Sequence, residues 1–148
     1  MTKDVLISIR GFQIVDDDDD AQPVELIAPG QYYCKNGRHY ILYDEVAEDT
    51  AGTTKNIIKL GDEVLDITKR GETNVHMMFE KDKKNVTYYY TPYGNLLIGI
   101  DATKVQVEET EHNLSVKVDY ALEVNYEHMA DCKITMNIQS KNAGDFKI

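Results

Sequence analysis

The chain has 148 residues, enough for one domain whose core needs no disulfide or metal staple. Its 26 acidic and 16 basic residues leave a formal charge of −10, which repels phosphate backbones and sets nucleic acid aside as a partner. No stretch reaches the apolar length of a membrane span, and the opening MTKDVLISIRGF, broken by Arg10, is no signal peptide.

Val5 to Phe12 reads as a strand with Val5, Ile7 and Ile9 on one face. Asp16 to Asp20 follow, and five consecutive like charges resist regular structure, so an exposed loop is expected. A Ca²⁺ or Mg²⁺ loop is the functional alternative, because hard cations want oxygen ligands. The run lacks the spaced ligands, central glycine and distal glutamate of an EF-hand, so no metal is expected. Val24 to Ile27 resumes an extended segment, and Pro29-Gly30 makes a bend. Asn36-Gly37 is a hairpin turn between Tyr32-Tyr33-Cys34 and the return strand His39 to Tyr43. Asp44 to Thr53 is polar, with room for one short helical turn but for no stable amphipathic helix. Strands follow at Lys55 to Leu60, at Val64 to Thr68 and around Val75, Met77 and Phe79. Their turns are Gly61-Asp62, Arg70-Gly71 and the charged run Lys81 to Lys84.

The stretch from Thr87 to Ile100, TYYYTPYGNLLIGI, reads as a hairpin with an aromatic first arm. β-Branched and aromatic side chains suit a pleated surface, and Pro92 cannot donate to a ladder, so the first arm stops there. Tyr88 and Tyr90 are expected to face inward and Tyr89 outward. The chain then bends near Ala102 to Lys104, forms a short strand at Val105 and Val107, and turns at His112-Asn113. From Ser115 to Tyr126 the alternation is clean. Val116, Val118, Tyr120, Leu122, Val124 and Tyr126 share one face, opposite Ser115, Lys117, Asp119, Glu123 and Asn125. A turn around Glu127 to Asp131 precedes a last strand carrying Ile134, Met136 and Ile138, and the tail from Lys141 is polar.

About eight to ten short strands and no helix of consequence predict an all-β domain over residues 1–148. One-sided strands joined by hairpins favour an antiparallel meander. Closing it into an up-and-down barrel hides the apolar face and the edges together. A two-sheet sandwich is the competing architecture. Burying one large apolar side chain is worth about 2 kcal/mol, so the even positions from Val116 onward fix that strand's orientation. A slip of one residue would expose them all.

Tyr90-Thr91-Pro92-Tyr93-Gly94, followed by Leu96 and Gly99, resembles a signature of the YwiB-like proteins. Tyr43-Asp44-Glu45, Thr53-Thr54-Lys55, Arg70-Gly71, Phe79-Glu80 and Tyr120-Ala121-Leu122-Glu123-Val124-Asn125 agree in order, from about Val5 to Gln139. The aspartate run is the departure. The resemblance implies a calycin-like, lipocalin-type barrel in a bacterial cytoplasm. It implies no established activity and no assigned site residues.

Among chemical motifs, His39, His76, His112 and His128 are scattered, without metal-ligand spacing. There is no Gly-x-Ser-x-Gly and no glycine-rich phosphate loop before a helix. Cys34 and Cys132 form no Cys-x-x-Cys pair and are expected to be free thiols of a cytoplasmic protein, with Cys34 buried and inert. Glu108, Glu109 and Glu111 lie near a turn and read as a solvated face. No cofactor is expected.

The tyrosines carry the functional reading. A tyrosine has an apolar body and a hydroxyl that wants a partner, so several turned inward would line an amphipathic interior. Tyr88, Tyr90, Met77 and Tyr120, with Arg70 at a strand end, are the candidate ligand-binding residues, and Phe79 shares their face. A non-enzymatic barrel holding a small apolar or amphipathic molecule is the leading expectation. A packed core is the plain alternative. A homodimer or protein-interaction module through outward Tyr89 and Leu97 is the second functional reading. An enzyme with Glu45, Thr54, Arg70 and Tyr90 converging at the barrel mouth is the third.

Overall fold

The computed structural model describes residues 3–14, 24–46, 52–71, 74–91 and 94–141. They form ten strands: β1 (Asp4–Ile14), β2 (Val24–Lys35), β3 (Arg38–Val46), β4 (Thr53–Gly61), β5 (Val64–Arg70), β6 (Val75–Glu80), β7 (Lys83–Thr91), β8 (Gly94–Glu109), β9 (Asn113–Val124) and β10 (Glu127–Ser140). Every recorded pairing is antiparallel. The order is β6-β5-β4-β3-β2-β1-β10-β9-β8-β7, a meander that turns on itself where β1 meets β10. The result is a nearly closed barrel. No helix among the described residues is long and apolar enough to cross a membrane.

The remaining gap lies between β6 and β7, neighbours in the chain that are the two edges of the sheet. Their turn, Lys81-Asp82, is held from both sides. Lys81 N–H donates to the Glu63 carbonyl in the β4–β5 turn, and Asp82 N–H donates to Ala102 on β8. Stretched between the two walls, the turn keeps its own strands from pairing. The wall parts a second time at β2. Val24 to Gln31 pair with β1, whereas only Gln31 to Lys35 pair with β3. The switch falls at Gln31, and Pro29-Gly30, where a bend was expected, still pair with β1 inside one continuous strand.

Alternation sets the interior. Val5, Ile7, Ile41, Ile58, Leu60, Leu65, Leu114, Val116, Val118 and Ile138 are sealed from solvent. At mid-height Phe79 on β6 meets Tyr120 on β9 edge to face across the lumen, with centroids 4.9 Å apart and planes at 68°. At the lower end, the Tyr32 hydroxyl and His39 Nδ1 share a 2.6 Å hydrogen bond. Glu109 Oε2 lies 3.8 Å from the same nitrogen. Asn36 and Gly37 both take positive φ, 54° and 75°, which is the geometry a two-residue hairpin demands.

Several expectations are corrected. Ile98 and Ile100 face inward, and the register Thr87↔Ile98 and Asn85↔Ile100 puts Asn85, Thr87 and Tyr89 inside with them. Tyr88 is therefore outside and 59% exposed. The phase of β7 follows its β8 partner, and a run of three tyrosines cannot specify it. Tyr126 leaves the buried face because Asn125 and Tyr126, at φ 51° and 70°, form the β9–β10 turn. Asn125 exchanges two hydrogen bonds with Leu97, which fixes that turn in place. β10 starts at once, at Glu127, with an irregularity between His128 and Ala130 where a longer turn was expected. The expected bend near Ala102 is a bulge inside one continuous β8. Cys34 is exposed and Cys132 is the buried thiol; neither is bridged. The aspartate run, most of the expected helical turn at Asp44 to Thr53, and Pro92-Tyr93 lie outside the described residues.

Three interior phenols give the fold a pH limit. Burial, with Cys34 and Glu109 nearby, pushes Tyr32 up to about 12. Burial also raises Tyr43, helped by the Glu45 carboxylate, and Tyr120, helped by Cys132. A phenol whose pKa is higher folded than unfolded stays protonated longer in the fold. Its contribution is complete below about pH 10, the unfolded value, and is lost as pH rises through the folded value. Denaturant midpoints are expected to hold from pH 7 to about 9 and fall steeply from about 10 to 12. In a phenolate absorbance titration, these three are expected to ionise above the ordinary phenol range. A flat stability profile across that window would contradict the burial of the three rings.

Candidate functional site

Upward from the Phe79–Tyr120 contact the interior changes character. Ile9, Leu26, Met77, Ile98 and Ile134 face inward yet are only partly buried. Among them stands a polar group from three adjacent strands. Glu45 follows Ile41 and Tyr43 in the inward phase of β3. Thr54 and Asn56 precede Ile58 and Leu60 in that of β4, and Lys69 follows Leu65 and Ile67 in that of β5. Lys69 Nζ donates to Glu45 Oε1 at 3.0 Å, and the Tyr43 hydroxyl donates to the same oxygen at 3.5 Å. Both ends of the ion pair are about two-thirds removed from solvent. Asn56 is the Cα partner of Lys69 in the β4–β5 ladder and is 1% exposed. Its Nδ2 donates to the Thr54 carbonyl at 3.3 Å, and its Oδ1 has no partner.

This group lies between the two partings of the wall. On one side, where β2 leaves β3, is a hollow of about 460 Å³ lined by Gly30, Leu42, Tyr43, Lys55 and Asn56, among others. On the other, where β6 and β7 separate, is a slot of about 480 Å³ lined by Lys69, Arg70, Val75, His76, Thr87 and Tyr88, among others. Towards the Lys81-Asp82 turn the slot narrows to about 140 Å³ beside His76, Met78, Asn85 and Ile100. The Asn85 Nδ2 there is buried and unpartnered.

The residues named from the sequence fall unevenly on this arrangement. Arg70 and Tyr88 meet at the slot, but on its outer rim. Met77 lies inside and partly buried. Tyr120 is inside too, committed to Phe79 and to the Cys132 thiol. Tyr90 pairs with Asn95 in β7, and its side chain lies outside the described residues. The imagined catalytic cluster is not assembled. Glu45 and Thr54 are cross-strand partners inside, whereas Arg70, opposite Lys55, is on the outer face. The histidines are dispersed: His76 bonds Asp66 at 2.8 Å, and His128 bonds Asp131 at 3.0 Å. Among the described residues no three His, Cys, Asp or Glu side chains are grouped to hold a metal ion. Lys69 and Asn56 were missed. Their signal was present, because extending the alternations Leu65-Ile67 and Leu60-Ile58 by one step places a charge and an amide inside.

The model of a domain of unknown function, DUF1934, matches residues 7–136. The chain belongs to the DUF1934 family. It is 22% identical over 137 residues to a protein of Bacillus subtilis strain 168 described as an uncharacterized β-barrel protein, YwiB, covering 91% of this chain and 95% of that one. The crystal structure of YwiB from B. subtilis superposes with a TM-score of 0.75 at 16% identity, over 95% of this chain and 93% of the other. The description of DUF1934 assigns no activity.

Proposed function

We propose that the protein binds a small amphipathic molecule in the upper half of the barrel, as a non-enzymatic carrier or sensor. One observation carries this reading: a polar group with an unpartnered buried acceptor, Asn56 Oδ1, is set beside partly buried apolar side chains. A buried orphan costs about 1–3 kcal/mol, and a half-buried ion pair contributes little in return. Stability alone would favour aliphatic side chains at these positions. A ligand whose polar end meets this group, and whose body lies against Met77, Ile98 and Leu26, makes use of both surfaces. The step from barrel to binding follows the analogy with calycin-like folds. The absence of a Cys34–Cys132 bridge supports action in the cytoplasm.

A second copy of the chain is the other reading. It is favoured by Val86 and Tyr88, 53% and 59% exposed on β7, an edge strand paired on one side only. One experiment separates the two. Native mass spectrometry of protein purified gently from its own host is expected to give the 16.9 kDa chain plus a few hundred daltons that disappear on denaturation. Twice the chain mass with nothing added supports the dimer instead, and a bare monomer refutes both.

A further inference from the structure

The hydrogen-bonding pattern of the inner polar group restricts what it can hold. We propose that the head group bound there is neutral and is both donor and acceptor, of the carboxamide or ureide class, rather than a free acid or amine. This rests on the ligand-binding reading above and goes further by naming the ligand's chemistry.

Asn56 fixes the first requirement. Its Nδ2 must face the Thr54 carbonyl, which can only accept, so the free end of the amide is the carbonyl oxygen. Asn56 is 1% exposed and borders the hollow where β2 leaves β3. The missing partner of Oδ1 is therefore an N–H or O–H donor. Lys69 fixes the second. Its ammonium has three donors, of which one is engaged by Glu45 at 3.0 Å, so an acceptor is wanted beside it. The Lys69–Asn56 ladder pairing puts both demands on adjacent strands and one face, a few ångströms apart as cross-strand neighbours are.

Charge fixes the third. Glu45 and Lys69 cancel each other, and Tyr43, held protonated by burial and by that carboxylate, adds none. A ligand carboxylate would gain Lys69 but meet Glu45 at the same distance range, inside a chain of net charge −10. An alkylammonium would gain Glu45 and meet Lys69. A carboxamide offers N–H to Asn56 and C=O to Lys69 with no charge to desolvate.

Octanamide, octanoate and octylamine share one tail and differ in head charge. Their binding to the ligand-stripped full-length protein at pH 7 is measured by saturation-transfer NMR with a concentration series. Octanamide is expected to bind at least about tenfold more tightly than the other two, which is 1.4 kcal/mol. Asn56→Leu is expected to lose that preference while melting no lower than the wild type, because it removes an unsatisfied polar atom. Lys69→Gln leaves Glu45 unbalanced and is expected to shift the preference to octylamine, a readout that survives if Asn56→Leu does not fold. Octanoate or octylamine equalling octanamide on the wild type overturns the head-group proposal and leaves the ligand reading standing. Equal binding of all three to every variant means that the orphan oxygen serves only an internal water, and overturns it as well. If none binds, and the protein from its own host carries no added mass, the ligand reading falls first.

Discussion

Phe79→Ala is expected to cost about 4 kcal/mol of folding free energy, the largest effect of any single truncation considered for this barrel. Phe79 is 1% exposed and sits on β6, an edge strand whose only ladder is to β5. Lacking a second ladder, β6 is held over the lumen by its inward side chains, of which Phe79 is the most buried. Its ring packs edge to face on Tyr120, a contact worth about 0.5–1.5 kcal/mol beyond area burial. Truncation removes that contact and leaves a void beside the slot. Urea unfolding should show a lower midpoint at unchanged slope. A loss below about 1 kcal/mol would mean that the ring does not hold β6 to the far wall. An apolar fluorescent dye should bind the variant more strongly than the wild type, since the void joins the slot to the lumen.

Gly30→Ala follows at about 3 kcal/mol, or roughly 10 °C in melting temperature for a chain of this size. A Cβ at Gly30 would stand 2.5 Å from Ile7 Cδ1 and 2.7 Å from the Leu42 carbonyl oxygen. The isoleucine can turn away. The carbonyl is backbone of β3 and cannot move without shifting the strand. Gly30 directly precedes Gln31, where β2 exchanges one neighbour for another, so the close approach holds the two walls together beside their junction. Gly11→Ala is the control, because a Cβ there meets nothing within 4 Å. Equal melting temperatures for the two variants would show that the approach at Gly30 is dispensable.

Both sites bear on what the amino-acid sequence reveals. Strand positions were legible wherever one face is apolar and the other polar: Val5-Ile7-Ile9, Leu65-Ile67 and Val116-Val118-Tyr120 fall inside as their alternation requires. The barrel followed from these, whereas the bend expected at Pro29-Gly30 is a stretch of continuous β2 still paired with β1. Phase was illegible at Tyr88-Tyr89-Tyr90, where both faces carry the same residue type, and only pairing with Ile98 and Ile100 decides it. Tyr126 misled because the alternation ran one residue past the turn that ends its strand. The polar cluster was half legible. Tyr43, Glu45 and Thr54 lie in stretches that drew notice, but Asn56 and Lys69 looked like ordinary solvent-facing residues until their strands' phase was known. The gap between β6 and β7 had no sequence signal, since a two-residue turn normally announces a paired hairpin.

That gap, set against the seam where β1 meets β10, has a kinetic meaning. The chain forgoes one of its short two-residue closures, across Lys81-Asp82, and makes its dearest, bringing Val5 beside Ser140. Local hairpins can form early, but the sheet cannot curl round until two segments separated by nearly the whole chain encounter each other. The ladder most remote in sequence is therefore expected to zip last, and folding to be slower than for a sheet built of local hairpins alone. Until then β1 and β10 present naked edges to every other copy in solution.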